Sequence, residues 1–296
     1  MPKSGFVAIV GRPNAGKSTL LNRLVGEKVA IVSPVPQTTR NQIRGIVNHS
    51  EGQIVLIDTP GIHRPLHRLN QRMMKSVHAA LEGLDLVLLI VDASIAFGEG
   101  DRFVLSLLKE KNLPAFLLLN KIDQMEKPAL LPLIQRYASE SNWLEVIPLS
   151  ALTGENVDLL LQRIFGVLKE SPCCFPDDQY TDQPERALAA EFVRERILHH
   201  TREEVPHSVA VIIEKFEEGG RLVRIYAAIF VERASQKGIL IGQKGRMLKQ
   251  IGSEARRELE RLLNTKVYLE LFVKVRPRWR DDDTALDEIG ITKIRT

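Results

Sequence analysis

The residues Gly11-Arg12-Pro13-Asn14-Ala15-Gly16-Lys17-Ser18 carry the spacing G-x-x-x-x-G-K-S and directly follow the apolar run Phe6-Val7-Ala8-Ile9-Val10. A strand that runs into such a loop and then into a helix, here Thr19 to Leu24, forms a cradle for phosphate. Gly11 and Gly16 have no Cβ, so the backbone can turn tightly and aim consecutive N–H groups at an anion, at the positive end of the following helix. Asn14, Ala15 and Thr19 fall in the same cradle. Lys17 would reach the terminal phosphates, and Ser18 would offer its hydroxyl to Mg²⁺.

Further along, Gln53 to Ile57 reads as a strand ending in Asp58-Thr59-Pro60-Gly61. Asp58 would hold Mg²⁺ through a water, and the Gly61 amide would meet the γ-phosphate. Either Thr38 or Thr39, in a loop broken by Pro34 and Pro36, should complete the metal shell only while that phosphate is present. Its loss on hydrolysis would release both loops, which makes a two-state switch.

The base is chosen elsewhere. Asn120-Lys121-Ile122-Asp123 follows a buried strand, and guanine presents N1–H and N2–H₂ donors side by side that one carboxylate, Asp123, can accept. Adenine would set an acceptor against that carboxylate and leave a buried polar group unpaired. Asn120 would tie the base to neighbouring loops, the Lys121 stem would lie over the ring, and in Ser150-Ala151 the Ala151 N–H would meet the guanine carbonyl.

These motifs need a frame that brings loop ends together. Strands at Gln42 to Asn48 and Gln53 to Ile57 form an antiparallel pair, and apolar strands at 84–93, 114–119 and 146–149 alternate with helices at 71–82, 100–111, 129–140 and 155–169. Continuous apolar strands between amphipathic helices predict a mostly parallel α/β sheet with helices on both faces. Ligands of such sheets sit beyond the carboxyl ends of the strands, where every motif above falls.

Residues 173–184, with prolines, acids and the adjacent pair Cys173-Cys174, read as a linker between a domain at 1–172 and a smaller α+β unit at 185–296. The second unit shows a helix (185–202), two strands (208–216, 222–231), a short apolar element (236–241), a long helix (246–263) and a strand (267–275). Gly242-Gln243-Lys244-Gly245 lies between the short element and the long helix, a glycine loop that lets backbone press on a sugar–phosphate chain. Along the long helix Leu248, Ile251, Ala255, Leu259 and Leu262 share one face, with Arg246, Lys249, Arg256 and Arg257 opposite. From Arg233 to Arg261 there are eight basic residues against three acidic, a local groove for a polyanion. Trp279, in the basic tail Arg276 to Arg280, is offered both base stacking and packing roles.

Composition narrows the class. With 44% hydrophobic and 26% charged residues among 296, the chain is that of a globular protein of two ordinary domains. The net charge of +4 divides evenly, with 19 basic and 16 acidic residues in 1–176 and 22 and 21 in 177–296, so any nucleic-acid argument is local. No stretch is long and apolar enough to span a membrane, and Met1 to Gly5 enters a strand at once without room for a signal peptide. Two adjacent cysteines lack metal spacing and read as reduced thiols, and His63, His67, His78, His199 and His200 form no ligand set, so a cytoplasmic monomer is expected.

Taken together, G-R-P-N-A-G-K-S-T, P-Q-T-T-R, D-T-P-G-I, N-K-I-D and S-A-L resemble the Era-type GTPases of the TrmE–Era–EngA group, and the second half resembles their type II KH domain. The resemblance implies a P-loop GTPase domain followed by a KH domain. It selects Thr39 for Mg²⁺ and assigns Asn14 to a K⁺ near the phosphates. It also implies single-stranded RNA near the three-prime end of small-subunit ribosomal RNA, read over Ile239 and Ile241, and a role in small-subunit assembly. Association with the inner membrane is a tendency of the family, for which the sequence shows no amphipathic anchor. The residue after D-x-x-G is Ile62, where Ras-like enzymes carry the glutamine that orients water, so slow intrinsic turnover is expected. Arg40 and Arg44 are expected to make surface ion pairs. The rival reading keeps the GTPase and makes the second domain a protein-binding module; a third treats nucleotide binding as structural in an RNA chaperone.

Overall fold

The computed structural model describes residues 1–62 and 67–291. They form two compact units: the first runs to Asp182, and residues 31–35 and 67–72 group with the second, which otherwise begins at Gln183.

The first unit is built on a six-stranded sheet of order β2-β3-β1-β4-β5-β6. Its strands are β1 (Lys3–Val10), β2 (Ile43–His49), β3 (Gly52–Asp58), β4 (Leu86–Asp92), β5 (Ala115–Asn120) and β6 (Glu145–Leu149). Only β2 is antiparallel, pairing Ile43 with Asp58 through His49 with Gly52. Along β1, Val7 and Ile9 enter one apolar core while Ala8 and Val10 enter another on the opposite face. That two-sided burial is why the strands are continuously apolar rather than alternating. Helices α1 (Lys17–Val25) and α5 (Val157–Val167) supply Leu20, Leu21, Leu160 and Ile164 to the first core. Helices α2 (Arg68–Ala80), α3 (Glu99–Lys111) and α4 (Lys127–Ala138) supply Val77, Val104 and Tyr137 to the other. The parallel register sets Asp92 beside Asn120 and Asn120 beside Leu149, so the strand ends that carry motifs lie along one edge.

The segment expected to be a free linker is held on this unit. Gln53 is fully buried; its Oε1 accepts the N–H groups of Cys174 and Phe175, and its Nε2 donates to the Phe175 carbonyl. Ile46 N–H donates to the Tyr180 carbonyl at 2.8 Å, and Gly45 bridges Thr181. The open edge of β2 has thus recruited the segment as a short partial strand, satisfying groups an exposed edge would leave unpaired. Proline-rich composition hid this, because composition does not report an edge elsewhere in the chain.

The second unit has the order α6 (Glu185–His200), α7 (Val205–Ser208), β7 (Ala210–Gly219), β8 (Leu222–Val231), α8 (Ala234–Ile241), α9 (Arg246–Leu262), β9 (Lys266–Val275) and α10 (Asp283–Glu288). The sheet is β7-β8-β9, with β8 and β9 parallel. Ile251, Ala255 and Leu259 of α9 are buried against Ile225, Ala227, Val267 and Val273 of the sheet, the face the helical spacing indicated. Among the described residues no helix is long and apolar enough to cross a membrane.

Candidate functional site

The phosphate loop joins β1 to α1, and Gly16 at its end takes φ +102°, with a Cβ there falling 2.2 Å from Asn120 Nδ2. Glycine is required on both counts. Lys17 is buried, and its Nζ donates to the carbonyls of Arg12 (2.9 Å) and Gly11 (3.3 Å). Ser18 Oγ lies 2.7 Å from Asp58 Oδ2 and 2.8 Å from Thr39 Oγ1, and Thr39 Oγ1 lies 3.3 Å from the same carboxylate oxygen. Three oxygen side chains, from the first turn of α1, the loop before β2 and the end of β3, therefore converge, and Thr39 is the threonine that does so. Burial lifts the Asp58 carboxyl to about 6 against the pull of Lys17 and the hydroxyl donors, and burial lowers the Lys17 ammonium to about 8 against the pull of Asp58. Asp58 Oδ1 is buried with no hydrogen-bond partner among the described residues. A hard oxygen set with one unsatisfied carboxylate oxygen fits Mg²⁺.

The base end is built on β5 and β6. Asn120 Nδ2 donates to the Ala15 carbonyl at 2.7 Å, and its Oδ1 accepts the Ala151 N–H at 2.9 Å. One amide thus ties the phosphate loop to the loop after β6. The Ala151 N–H, expected to face a guanine carbonyl, is engaged by Asn120 instead. Ser150 is buried and takes the Thr153 N–H on its Oγ at 3.1 Å, shaping the loop from beneath. Lys121 adopts φ 67° and pairs with Asp92 at 2.5 Å. A pocket opens here between Gly16, Thr19, Asn120, Lys121, Asp123 and Leu152. Thr19, assigned to the phosphates, lines this pocket beside Gly16, and so does the exposed Leu152, which S-A-L includes but to which the sequence reading gave no role. Ile62 is buried, so it offers no polar group to a water. Arg44 pairs with Asp182 at 2.8 Å, whereas Arg40 is buried rather than at the surface.

In the second unit Gly242 and Gly245 have φ of 68° and 76°, and Lys244 between them has φ 53°. Gln243 and Lys244 are exposed at the turn and Arg246 opens α9. Beside it a groove is lined by Leu248, Lys249, Gly252 and Arg256 of α9 and by Leu269, Glu270 and Leu271 of β9. The β9 leucines escaped the sequence reading, which placed them only within a strand at 267–275. Ile239 and Ile241 do not share a surface. They lie on a helix, where two residues differ by about 200°, so Ile239 is exposed and Ile241 packs against the core. Trp279 is fully buried and donates its indole N–H to the Ser208 carbonyl at 2.8 Å, which removes it from base stacking. Among the described residues no cluster of histidine, cysteine and acidic groups could hold a metal, and His63 lies outside them.

Residues 6–121 match the family model described as "50S ribosome-binding GTPase", and residues 204–280 match that of the KH domain. A "GTPase Era" of Rippkaea orientalis is 51% identical over 291 residues, covering 97% of this chain and 92% of the relative. The chain belongs to the Era GTPase family. Two solved Era structures match with 42% identity. An Aquifex aeolicus Era variant bound to GDP and aluminium fluoride aligns with a TM-score of 0.94 over 98% of this chain and 99% of the other. An Era in complex with MgGDPNP and nucleotides 1506–1542 of 16S ribosomal RNA aligns with 0.96 over 99% and 100%. As an Era-family GTPase, the chain has the mostly parallel P-loop domain followed by the smaller KH domain that its motifs indicated.

Proposed function

We propose that this chain is a GTP-hydrolysing switch that binds single-stranded RNA near the three-prime end of small-subunit ribosomal RNA and serves small-subunit assembly. The observation that carries the reading is the convergence of Ser18, Thr39 and Asp58 beside buried Lys17, because it sets a hard oxygen group from three separate segments against the phosphate loop. The Era relative that holds both MgGDPNP and a 16S ribosomal RNA segment supports the pairing of functions.

The phosphate-loop amides from Asn14 to Thr19 would bind the α- and β-phosphates at the start of α1, and Lys17 would leave its carbonyl partners to reach the terminal phosphate. Ser18, Thr39 and Asp58 would hold Mg²⁺, which neutralises charge on the β- and γ-phosphate oxygens. The Gly61 amide would bond the γ-phosphate and release it on hydrolysis. Asp123 would accept the guanine N1–H and N2–H₂, and Lys121, fixed by Asp92, would cover one face of the base. With Ile62 in place of a polar residue, water is not oriented from that position, and turnover of about 10⁻⁴ to 10⁻² s⁻¹ is expected. Asn14 is the position for a K⁺ ligand, and turnover higher in KCl than in NaCl is the expected sign of it.

The RNA would lie with its backbone on Gly242 to Gly245 and Arg246, its phosphates toward Lys249 and Arg256, and its bases over Leu248, Leu269 and Leu271. Affinity for a short single strand should then fall steeply with salt and be lost when Gly242 and Gly245 become aspartate. Salt-independent binding, or RNA binding that survives the double substitution, favours a protein-binding second unit instead.

A further inference from the structure

Arg12 is the second residue of the phosphate loop, and its Nη1 lies 2.9 Å from Asp101 Oδ2. Asp101, third residue of α3, is 5% exposed, and the same Oδ2 also accepts the Gly98 N–H at 2.9 Å, so the carboxylate is fixed to its own helix start. Behind it stands Tyr137 of α4, a fully packed side chain whose hydroxyl pKa is pushed up by burial first and then by the Asp101 charge, and whose ring meets Phe97 edge-on at 5.1 Å. Arg136 lies over the Phe97 ring at 4.6 Å. Room for the arginine is made by Gly100, where a Cβ would fall 2.7 Å from Arg12 Nε.

The other side of the same stretch touches the groups that meet the terminal phosphate. The Arg12 carbonyl accepts Lys17 Nζ, and the Gly11 carbonyl accepts the Ile62 N–H at 3.1 Å. A Cβ on Gly61 would fall 2.8 to 2.9 Å from Pro13, so this glycine sits against the loop backbone. Residues 11–13 therefore abut Lys17 and Gly61, whereas the α- and β-phosphates belong to residues 14–19. With Arg12 part-exposed, its ion pair contributes little to stability, and its consequence is placement.

We propose that Asp101 is a positioning residue which, through Arg12, fixes the part of the phosphate loop that faces the γ-phosphate. The inference rests on the GTP-hydrolysing reading and adds to it a residue that lies outside every nucleotide motif. Arg12 is then a strut, tied outward to the start of α3, and not a free cation for the phosphates.

The test is made on the full chain with Asp101→Asn, Arg12→Ala, Arg12→Lys and the Arg12→Ala/Asp101→Asn pair. GDP affinity, affinity for a non-hydrolysable GTP analogue, kcat, KM and melting temperature are measured together. Misplacement at the reacting end should lower kcat about ten-fold in Asp101→Asn and Arg12→Ala, while GDP affinity stays within about two-fold. The double variant should be no slower than the worse single, because both break one link. Arg12→Lys should recover part of the loss. Unchanged kcat, additive losses, or GDP and analogue affinities that fall together with the melting temperature would overturn the proposal. Should Asp101→Asn fail to fold, Arg12→Ala against Arg12→Lys decides by the same split. A wild-type chain that does not turn over GTP would instead overturn the reading beneath it.

Discussion

Asp123 and Asp58 are both motif carboxylates, and their environments give them different tests. Asp123 lines the pocket behind Asn120 and Lys121, where a carboxylate matches two adjacent guanine donors. Asp123→Asn should weaken GTP by about 10⁴-fold and favour xanthosine triphosphate, whose carbonyl at the same ring position meets the amide donor; competition binding of the two nucleotides checks this. Burial works against the ionised form of Asp58. Its carboxyl titrates at about 6 instead of 3.8, so the unfolded chain sheds the proton first and stability falls as pH rises from about 4 to 6. Lys17 titrates at about 8 instead of 10.5, so the folded chain sheds its proton first and stability is regained between about 8 and 10.5. The nucleotide-free protein should thus be penalised most between pH 6 and 8. Asp58→Asn should stabilise it there by up to about 3 kcal/mol, with the difference vanishing below pH 4. Melting curves against pH are the measurement. The motif residues were legible because their chemistry demands fixed types at fixed spacing. Arg12 with Asp101 was not, since 89 positions separate them and only the fold makes them neighbours.

At the scale of elements, the sheet could be read because burial on both faces writes itself as unbroken apolar runs such as Leu86 to Val91. The segment 173–184 could not, because its partners are edge groups on β2 and the buried amide of Gln53. Gln53→Ala leaves two backbone N–H groups unmatched and should cost about 1–3 kcal/mol. Limited proteolysis should then cut within 173–184 well before the rest of the chain, whereas the wild-type segment resists. The same distinction governs α8. Read as a short apolar element, it offered Ile239 and Ile241 as one surface; as a helix it exposes only the first. The groove floor comes instead from Leu269 and Leu271, on a strand whose alternation gave its faces but not which of them a ligand would touch.

For the whole molecule, the order of motifs identified both halves, because each is a contiguous stretch with its own chemistry. Residues 31–35, just ahead of Thr39, belong to the second unit, where Val32 N–H donates to Glu195 Oε1 at 2.9 Å. Thr39 joins the cluster at Asp58, so a short stretch of chain runs from the proposed metal ligand to a segment bonded to α6. A switch of this kind should respond at one site to a ligand at the other, by the same factor in both directions for binding. The most direct test is GTP turnover at fixed protein, with and without a short single strand carrying the small-subunit three-prime sequence. The account predicts a change of about five-fold or more that disappears when Gly242 and Gly245 are replaced by aspartate. RNA that binds through the G-x-x-G groove and leaves turnover unchanged would contradict it.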